Sequence, residues 1–104
     1  MNYIDPVSVS PQHYKTVLEN DTVRVVEMNL GAGEKDKVHS HPNETVYFLS
    51  GSKVKIQLVD GNLVEADIPD DHVMWNEAWT HQVENVGSTP VHAIIVEDKT
   101  TLPK

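Results

Sequence analysis

Cysteine is absent from the 104 residues of the sequence. Its absence excludes disulfide bonds, thiolate metal ligands and cysteine nucleophiles together, and it suits a reducing compartment, so we expect a cytoplasmic protein. Arginine is nearly as scarce, with Arg24 as the single example, and sixteen acidic side chains against eight basic ones give a net charge of −8. Because nucleic acids and anionic membrane surfaces bind clusters of Lys and Arg, neither is an expected partner.

Long apolar runs and sustained helical periodicity are also missing. No stretch approaches the about 20 apolar residues of a membrane-spanning helix, and apolar residues recur with period two instead of the helical period. Lys53–Leu58 is the clearest case, because Val54, Ile56 and Leu58 then share one face of a strand. The alternation predicts an all-β protein. The expected strands are Tyr14–Leu18, Val23–Leu30, Glu44–Leu49, Lys53–Leu58, Leu63–Ile68, Val73–Trp75, Gln82–Val86 and Val91–Glu97.

The length and the short spacing of turn residues predict one domain over residues 1–104. Its core is expected over about 14–97, with Met1–Ser8 and Thr100–Lys104 as terminal arms outside it. A small β domain exposes strand edges and an apolar outer face, which proteins cover by pairing. We therefore expect a homodimer, with Tyr3–Val9 reaching the second copy.

Histidine is abundant, with six in the chain, and two of them lie in the segment His39-Ser40-His41. Positions two apart on an extended segment share a face, so His39 and His41 can converge on one metal ion. Glu44 follows Pro42 and Asn43, which bend the chain and can return the carboxylate to the same centre. Such a set suits a divalent ion of Fe, Mn, Ni, Co, Zn or Cu. Taken alone, a His-x-His pair on a strand can equally be two surface residues that bind no metal.

A second cluster surrounds His81. Alternation places His81 on the same inward face as Val83 and Asn85, while Gln82 and Glu84 face water. An inward histidine is by default a core residue bonded to a backbone carbonyl. It becomes a candidate ligand when other ligands face it across the fold, and the pattern alone leaves both interpretations open.

The two clusters together resemble the two motifs of the cupin superfamily. The residues that carry the resemblance are Gly33, His39, His41, Glu44 and Gly51 in the first motif and His81 and Asn85 in the second. The resemblance covers about 23–97 and implies a cupin-type β-barrel, or jelly roll, which is also called a double-stranded β-helix. It also implies that one divalent metal ion per chain (Fe, Mn, Ni, Zn, Co or Cu) is bound by His39, His41, Glu44 and His81.

Some details of the sequence depart from the cupin pattern or narrow the match. Two residues separate His41 from Glu44, where the pattern usually has three or four, so we expect the carboxylate at an altered angle. In the second motif, Asn76 and Ala78 stand where Pro and Gly are usual. The opening Asp5–Val9, with His13–Lys15, looks like the short bacterial cupins labelled β-alanine degradation proteins.

By this resemblance, the chain is a metal-dependent enzyme of the oxygenase or lyase type that acts on a small organic acid or dicarbonyl compound. Open coordination positions would admit water, oxygen or a small-molecule substrate. Period two places Val46 and Phe48 on the face of Glu44 as candidate pocket residues, and Trp75 and Trp79 are candidates for the rim. The catalytic residues stay unassigned. The alternatives are a non-catalytic module that binds a metal or small ligand, and a metal-free structural barrel.

Overall fold

The computed structural model describes residues 3–102, which form nine strands and one short α-helix. Helix α1 is Pro6–Val9, and a single 3-10 turn occupies Lys99–Thr101. The strands are β1 Tyr14–Glu19, β2 Val23–Leu30, β3 His39–His41, β4 Glu44–Ser50, β5 Lys53–Leu58, β6 Leu63–Asp67, β7 His72–Asn76, β8 Trp79–Asn85 and β9 Val91–Asp98. Within these described residues, no helix has the length and hydropathy needed to cross a bilayer.

The strands form two antiparallel sheets, and this confirms the all-β prediction. One sheet has the order β1-β2-β9-β4-β7 and the other the order β3-β8-β5-β6. Apolar side chains from both sheets form one buried cluster. The architecture is thus a jelly roll of two sheets around a shared core, not a barrel closed by continuous strand pairing.

Alternation along the strands decides which residues form this core. On β4, Val46 and Phe48 are buried, whereas Tyr47 and Leu49 are about two-fifths exposed. The same alternation buries Val91, Ala93 and Ile95 on β9 and Val83 on β8. Each large apolar side chain removed from water in this way stabilises the fold by roughly 1.5–3 kcal/mol.

The amino-terminal segment packs against the domain and is not a projecting arm. The backbone of Ile4 accepts from the amide of Ser40 at 2.6 Å, and its own N–H donates to the Ser40 hydroxyl at 3.1 Å. Pro6, in the first turn of α1, is fully buried. Residues 1–2 and 103–104 of the expected arms lie outside the described residues.

At one end of the molecule, polar residues occupy the inward-facing positions of the strands. Strand β3 pairs with β8 so that His39 lies opposite His81. Strand β4 pairs with β9 so that Glu44 lies opposite Glu97. All four are buried, together with His41. The alternation that builds the core therefore also delivers a cluster of ionisable side chains to its end.

Candidate metal centre

Three histidines converge inside this polar end. His39, His41 and His81 each place one ring nitrogen so that all three atoms lie within 4.8 Å of one another, and all three residues are buried. The ring centroids of His39 lie 4.8 Å from those of both His41 and His81, at steep interplanar angles. Side chains from β3 and β8 thus surround a common point, as the resemblance implied for these three residues.

Hydrogen bonds decide which nitrogens can serve as ligands. Nδ1 of His39 donates to the carbonyl of Lys37 at 2.6 Å, and Nδ1 of His41 donates to Oε2 of Glu97 at 2.8 Å. An imidazole that donates through Nδ1 keeps Nε2 for a metal. Nδ1 of His81 is buried without a hydrogen-bond partner among residues 3–102. A buried polar atom without a partner costs free energy, and a metal ion bound at that nitrogen would supply the missing interaction.

Burial also keeps two of the imidazoles neutral. The pKa of His39 falls from 6.5 to about 4 because burial disfavours the imidazolium, and the neighbouring charge of His41 lowers it further. The pKa of His81 lies well below its ordinary value for the same reason, with His41 and His39 adding to the effect. A neutral imidazole is the form that binds a metal, so these two ligands need not release a proton at neutral pH.

His41 is surrounded by negative charge. Burial acts to lower its pKa, but the carboxylates of Glu44 and Glu97 outweigh burial and raise it. The pKa of Glu97 is lowered, because hydrogen bonds from His41 and Arg24 outweigh the effect of its own burial. Glu97 is therefore an ionised carboxylate behind a candidate ligand, the arrangement that commonly orients metal-binding histidines.

Glu44 is buried beside the cluster, but its carboxylate is not one of the three converging groups. Its Oε2 accepts a hydrogen bond from Nε1 of Trp79 at 2.5 Å. Its Oε1 lies 3.6 Å from Nδ1 of His41, the nitrogen that donates to Glu97. The carboxylate thus lies along the Nδ1 edge of His41. The structure brings together three of the four expected ligands and directs the fourth towards Trp79.

The short connection before Glu44 accounts for this placement. Pro42 is buried, and the Asn43 side chain accepts from the backbone N–H of Ala78 at 2.9 Å. The backbone N–H of Asn43 donates to the hydroxyl of Thr101 at 2.9 Å. Asn43 is thus held through both its side chain and its backbone, and the next residue, Glu44, lies opposite Asn76 of β7 and bonds to Trp79.

Tyr14 and Asp36 complete the surroundings of His39. The Tyr14 hydroxyl donates to Oδ2 of Asp36 at 2.6 Å, and its oxygen lies 3.3 Å from Nε2 of His39. The other oxygen of Asp36 accepts from the backbone N–H of Val83 at 2.8 Å. Sequence reasoning gave Tyr14 no specific role and missed Asp36, which lies in the loop between β2 and β3 where no periodicity applies.

A cavity of about 50 Å³ adjoins His41 and His81. Val46, Phe48 and Trp79 lie in its wall, and most of the other lining residues are apolar. Trp75 does not line it. Alternation on β7 turns Met74 and Asn76 towards the cavity and leaves Trp75 57% exposed on the outer face. The volume suits a few water molecules or a very small ligand.

Asn85, the last residue of the second motif, has a purely structural role. Its Nδ2 donates to the carbonyls of Leu30 at 3.0 Å and Thr89 at 2.8 Å. Its Oδ1 accepts from the Ser52 hydroxyl at 2.9 Å and from the amide of Gly87 at 3.0 Å. All its hydrogen-bonding capacity joins loops at the end of the fold away from the histidines, so it cannot contribute to a metal site.

No protein-family model and no curated protein sequence matches the chain. Among solved structures, the chain is similar to a cupin domain from Bordetella pertussis, with a TM-score of 0.73 and 17% identity over 94% of this chain and 97% of that one. It is similar to a predicted oxalate decarboxylase from Thermotoga maritima, with a TM-score of 0.58 and 22% identity over 82% and 77% of the two chains. It is also similar to a polyketide cyclase from Streptomyces resistomycificus, with a TM-score of 0.60 and 15% identity over 86% and 66%.

Proposed function

We propose that this chain, which has the double-stranded β-helix fold of the cupins, binds one divalent metal ion through His39, His41 and His81. The observation that carries the proposal is the convergence of three buried ring nitrogens within 4.8 Å. Two of the rings are oriented by Nδ1 hydrogen bonds, and the third has an unpartnered Nδ1. Most buried polar side-chain atoms in protein cores have a hydrogen-bond partner, so this exception supports a ligand at the histidine cluster.

The donor set narrows the choice of metal. Three imidazoles suit Fe, Ni, Cu or Zn, with Co as a close substitute, whereas Mn prefers oxygen donors. Glu44 would extend the choice to Mn only if its side chain left Trp79. When bound, such an ion acts as a Lewis acid that polarises carbonyl or carboxylate oxygens, or activates oxygen if it is redox-active.

The surroundings point to a small oxygen-bearing substrate. The three imidazoles bring no negative charge of their own to the ion, so an anion or an enolisable carbonyl compound is a suitable ligand for its remaining positions. The apolar wall formed by Val46, Phe48 and their neighbours suits a short hydrocarbon portion, and the small cavity excludes a large ligand. We therefore propose a small organic acid or dicarbonyl compound as the substrate of an oxygenase-type or lyase-type reaction.

Some of the similar structures support an enzymatic role. One is a predicted oxalate decarboxylase and another a polyketide cyclase. Turnover of a substrate would separate this proposal from a non-catalytic module that merely holds a metal or small ligand.

A cytoplasmic homodimer is part of the same proposal, and the apolar side chains of Tyr47, Val73 and Trp75 on the outer face would suit its interface.

Metal analysis tests the proposal directly. Protein purified without chelators and without a nickel-leaching tag should contain about one divalent ion per chain, and the double variant His39→Ala/His41→Ala should contain none. His92→Ala is the matched control, because His92 lies outside the cluster and pairs with Glu27 at 2.7 Å. Equal metal content in the wild type and the double variant would contradict the site.

A second measurement then separates enzyme from binding module. Oxygen consumption and product formation are followed with the loaded protein and a panel of small organic acids and dicarbonyl compounds. Turnover that disappears in the double variant supports the enzyme. Ligand-dependent thermal stabilisation without any product supports the binding module.

A further inference from the structure

We propose that Asp5, Arg24 and Glu97 form a positioning relay, which connects the amino-terminal segment to the metal centre and sets its metal affinity. The inference rests on the proposed metal site and concerns side chains that do not touch the ion. None of the three is among the four residues that the sequence motifs supply as ligands. Each acts on the centre through its neighbour, and the last acts through His41.

The relay is a continuous series of short charged contacts. Nδ1 of His41 donates to Oε2 of Glu97 at 2.8 Å, and Nε of Arg24 donates to Oε1 of the same carboxylate at 2.8 Å. The two remaining nitrogens of Arg24 donate to the two oxygens of Asp5 at 3.1 and 3.0 Å. Every member comes from a different part of the fold: β3, β9, β2 and the segment before α1.

Burial increases from the surface end of the relay to the metal end. The side chain of Asp5 is 33% exposed and that of Arg24 12%, while those of Glu97 and His41 are 2% exposed. Fork-shaped bonding of a guanidinium to a carboxylate fixes both orientation and distance. Asp5 holds the Arg24 guanidinium in this way. Glu97 has one partner for each oxygen and so little freedom to rotate, and the Nδ1–H of His41 meets an acceptor in a fixed place.

The same segment also contacts the strand that carries two ligands. Oδ1 of Asp5 accepts the N–H of Val7 at 3.0 Å and so caps α1. Ile4 forms two hydrogen bonds with Ser40, which lies between His39 and His41. A displacement of residues 4–9 would thus disturb the relay and β3 together. The amino-terminal segment is in this way a support of the metal centre.

A purely structural ion pair makes a different prediction. If the relay only braced the fold, its loss would lower stability but leave the metal affinity of the folded protein unchanged. If it orients His41, its loss should weaken metal binding about 10–100-fold, the usual effect of removing a partner behind a ligand. Metal affinity measured on folded protein therefore distinguishes the two.

The test compares three variants for Zn²⁺ affinity by competition with a chromophoric chelator, and for the absorption spectrum of bound Co²⁺. Glu97→Gln should bind Zn²⁺ about 10–100-fold more weakly and shift the Co²⁺ bands. Asp5→Asn, at the exposed end, should weaken binding in the same direction but less. Glu27→Gln is the matched control, because Glu27 and His92 form an outer carboxylate–histidine pair on β2 and β9, and it should leave both readouts unchanged.

The outcomes are separable. A folded Glu97→Gln protein with wild-type affinity and an unchanged Co²⁺ spectrum overturns the relay. If that variant does not fold, Asp5→Asn decides, since it leaves the Arg24–Glu97 pair in place. Unchanged affinity in Asp5→Asn overturns the relay as proposed, because the amino-terminal segment then has no effect on metal binding. A wild-type protein that binds neither ion overturns the proposed function, and the relay with it.

Discussion

Acid should destabilise the metal-free protein through His39. Its pKa is about 4 in the folded chain because of burial, against an ordinary value of 6.5. At pH values between these two, His39 is protonated in the unfolded chain and neutral in the folded chain. The free energy of unfolding therefore falls as the pH falls through this window. The difference corresponds to about 3 kcal/mol from His39 alone. His81 acts in the same direction. His41 has a raised pKa, so its contribution is fully present below 6.5 and is lost only as the pH rises.

Urea unfolding in the presence of a chelator, repeated from pH 6.5 to about 4, measures the effect. His39→Asn is the reference, because an asparagine can still donate to the Lys37 carbonyl but binds no proton. Carboxylates titrate in both proteins and cancel in the comparison. The stability difference between wild type and variant should change by about 3 kcal/mol across the window. Parallel curves would show that His39 is freely protonated in the folded protein and would refute the reasoning.

Three further substitutions test the packing that supports the site, each by its effect on the free energy of unfolding. Arg24→Leu leaves the buried carboxylate of Glu97 without its guanidinium partner and should cost about 3–5 kcal/mol. Gly51→Ala should be severely destabilising, because a Cβ there would lie 1.9 Å from the carbonyl oxygen of Ile68. Phe48→Ala empties part of the core and should cost about 3–5 kcal/mol.

Each of these changes has a control of the same chemistry. Lys55→Leu removes an exposed partner of Glu65, at 3.9 Å, and should cost at most about 1 kcal/mol. A Cβ at Gly33 would meet no neighbouring atom, so Gly33→Ala carries only the conformational cost of an alanine at a φ of +82°. Leu49→Ala truncates a side chain that is 41% exposed on the same strand as Phe48. A control that proved as costly as its partner would contradict the explanation given for that pair.

Period two predicted eight of the nine strands of the described residues, with differences of up to three residues at their ends, and missed β3 (His39–His41), which is too short to show a periodicity. The expected alternation of Glu44, Val46 and Phe48 agrees with the burial of all three, and the same holds for His81 and Val83. The sequence pattern did not predict which strands pair or in which register. The registers that place His39 opposite His81 and Glu44 opposite Glu97 join distant segments, and local patterns carry no information about such partners.

The site was predicted only in part, for identifiable reasons. Glu97 lies on the same face of β9 as Val91, Ala93 and Ile95. The alternation therefore already placed a charged residue on an inward face, although the sequence analysis assigned it no role. Arg24 was noted for its rarity alone. The direction of the Glu44 carboxylate depends on a hydrogen bond to Trp79 that no spacing rule describes.

Strand β9 has a consequence for how the chain reaches its native state. It pairs with β2 on one side and β4 on the other, so the larger sheet has a gap until β9 is synthesised. Pairings between remote parts of a sequence are slow to form. A nascent chain with two open strand edges is prone to mispair with other chains. Since Glu97 arrives with this strand, all three histidines are made before the carboxylate that accepts a hydrogen bond from His41, and a metal ion captured during translation would meet an incomplete set of side chains.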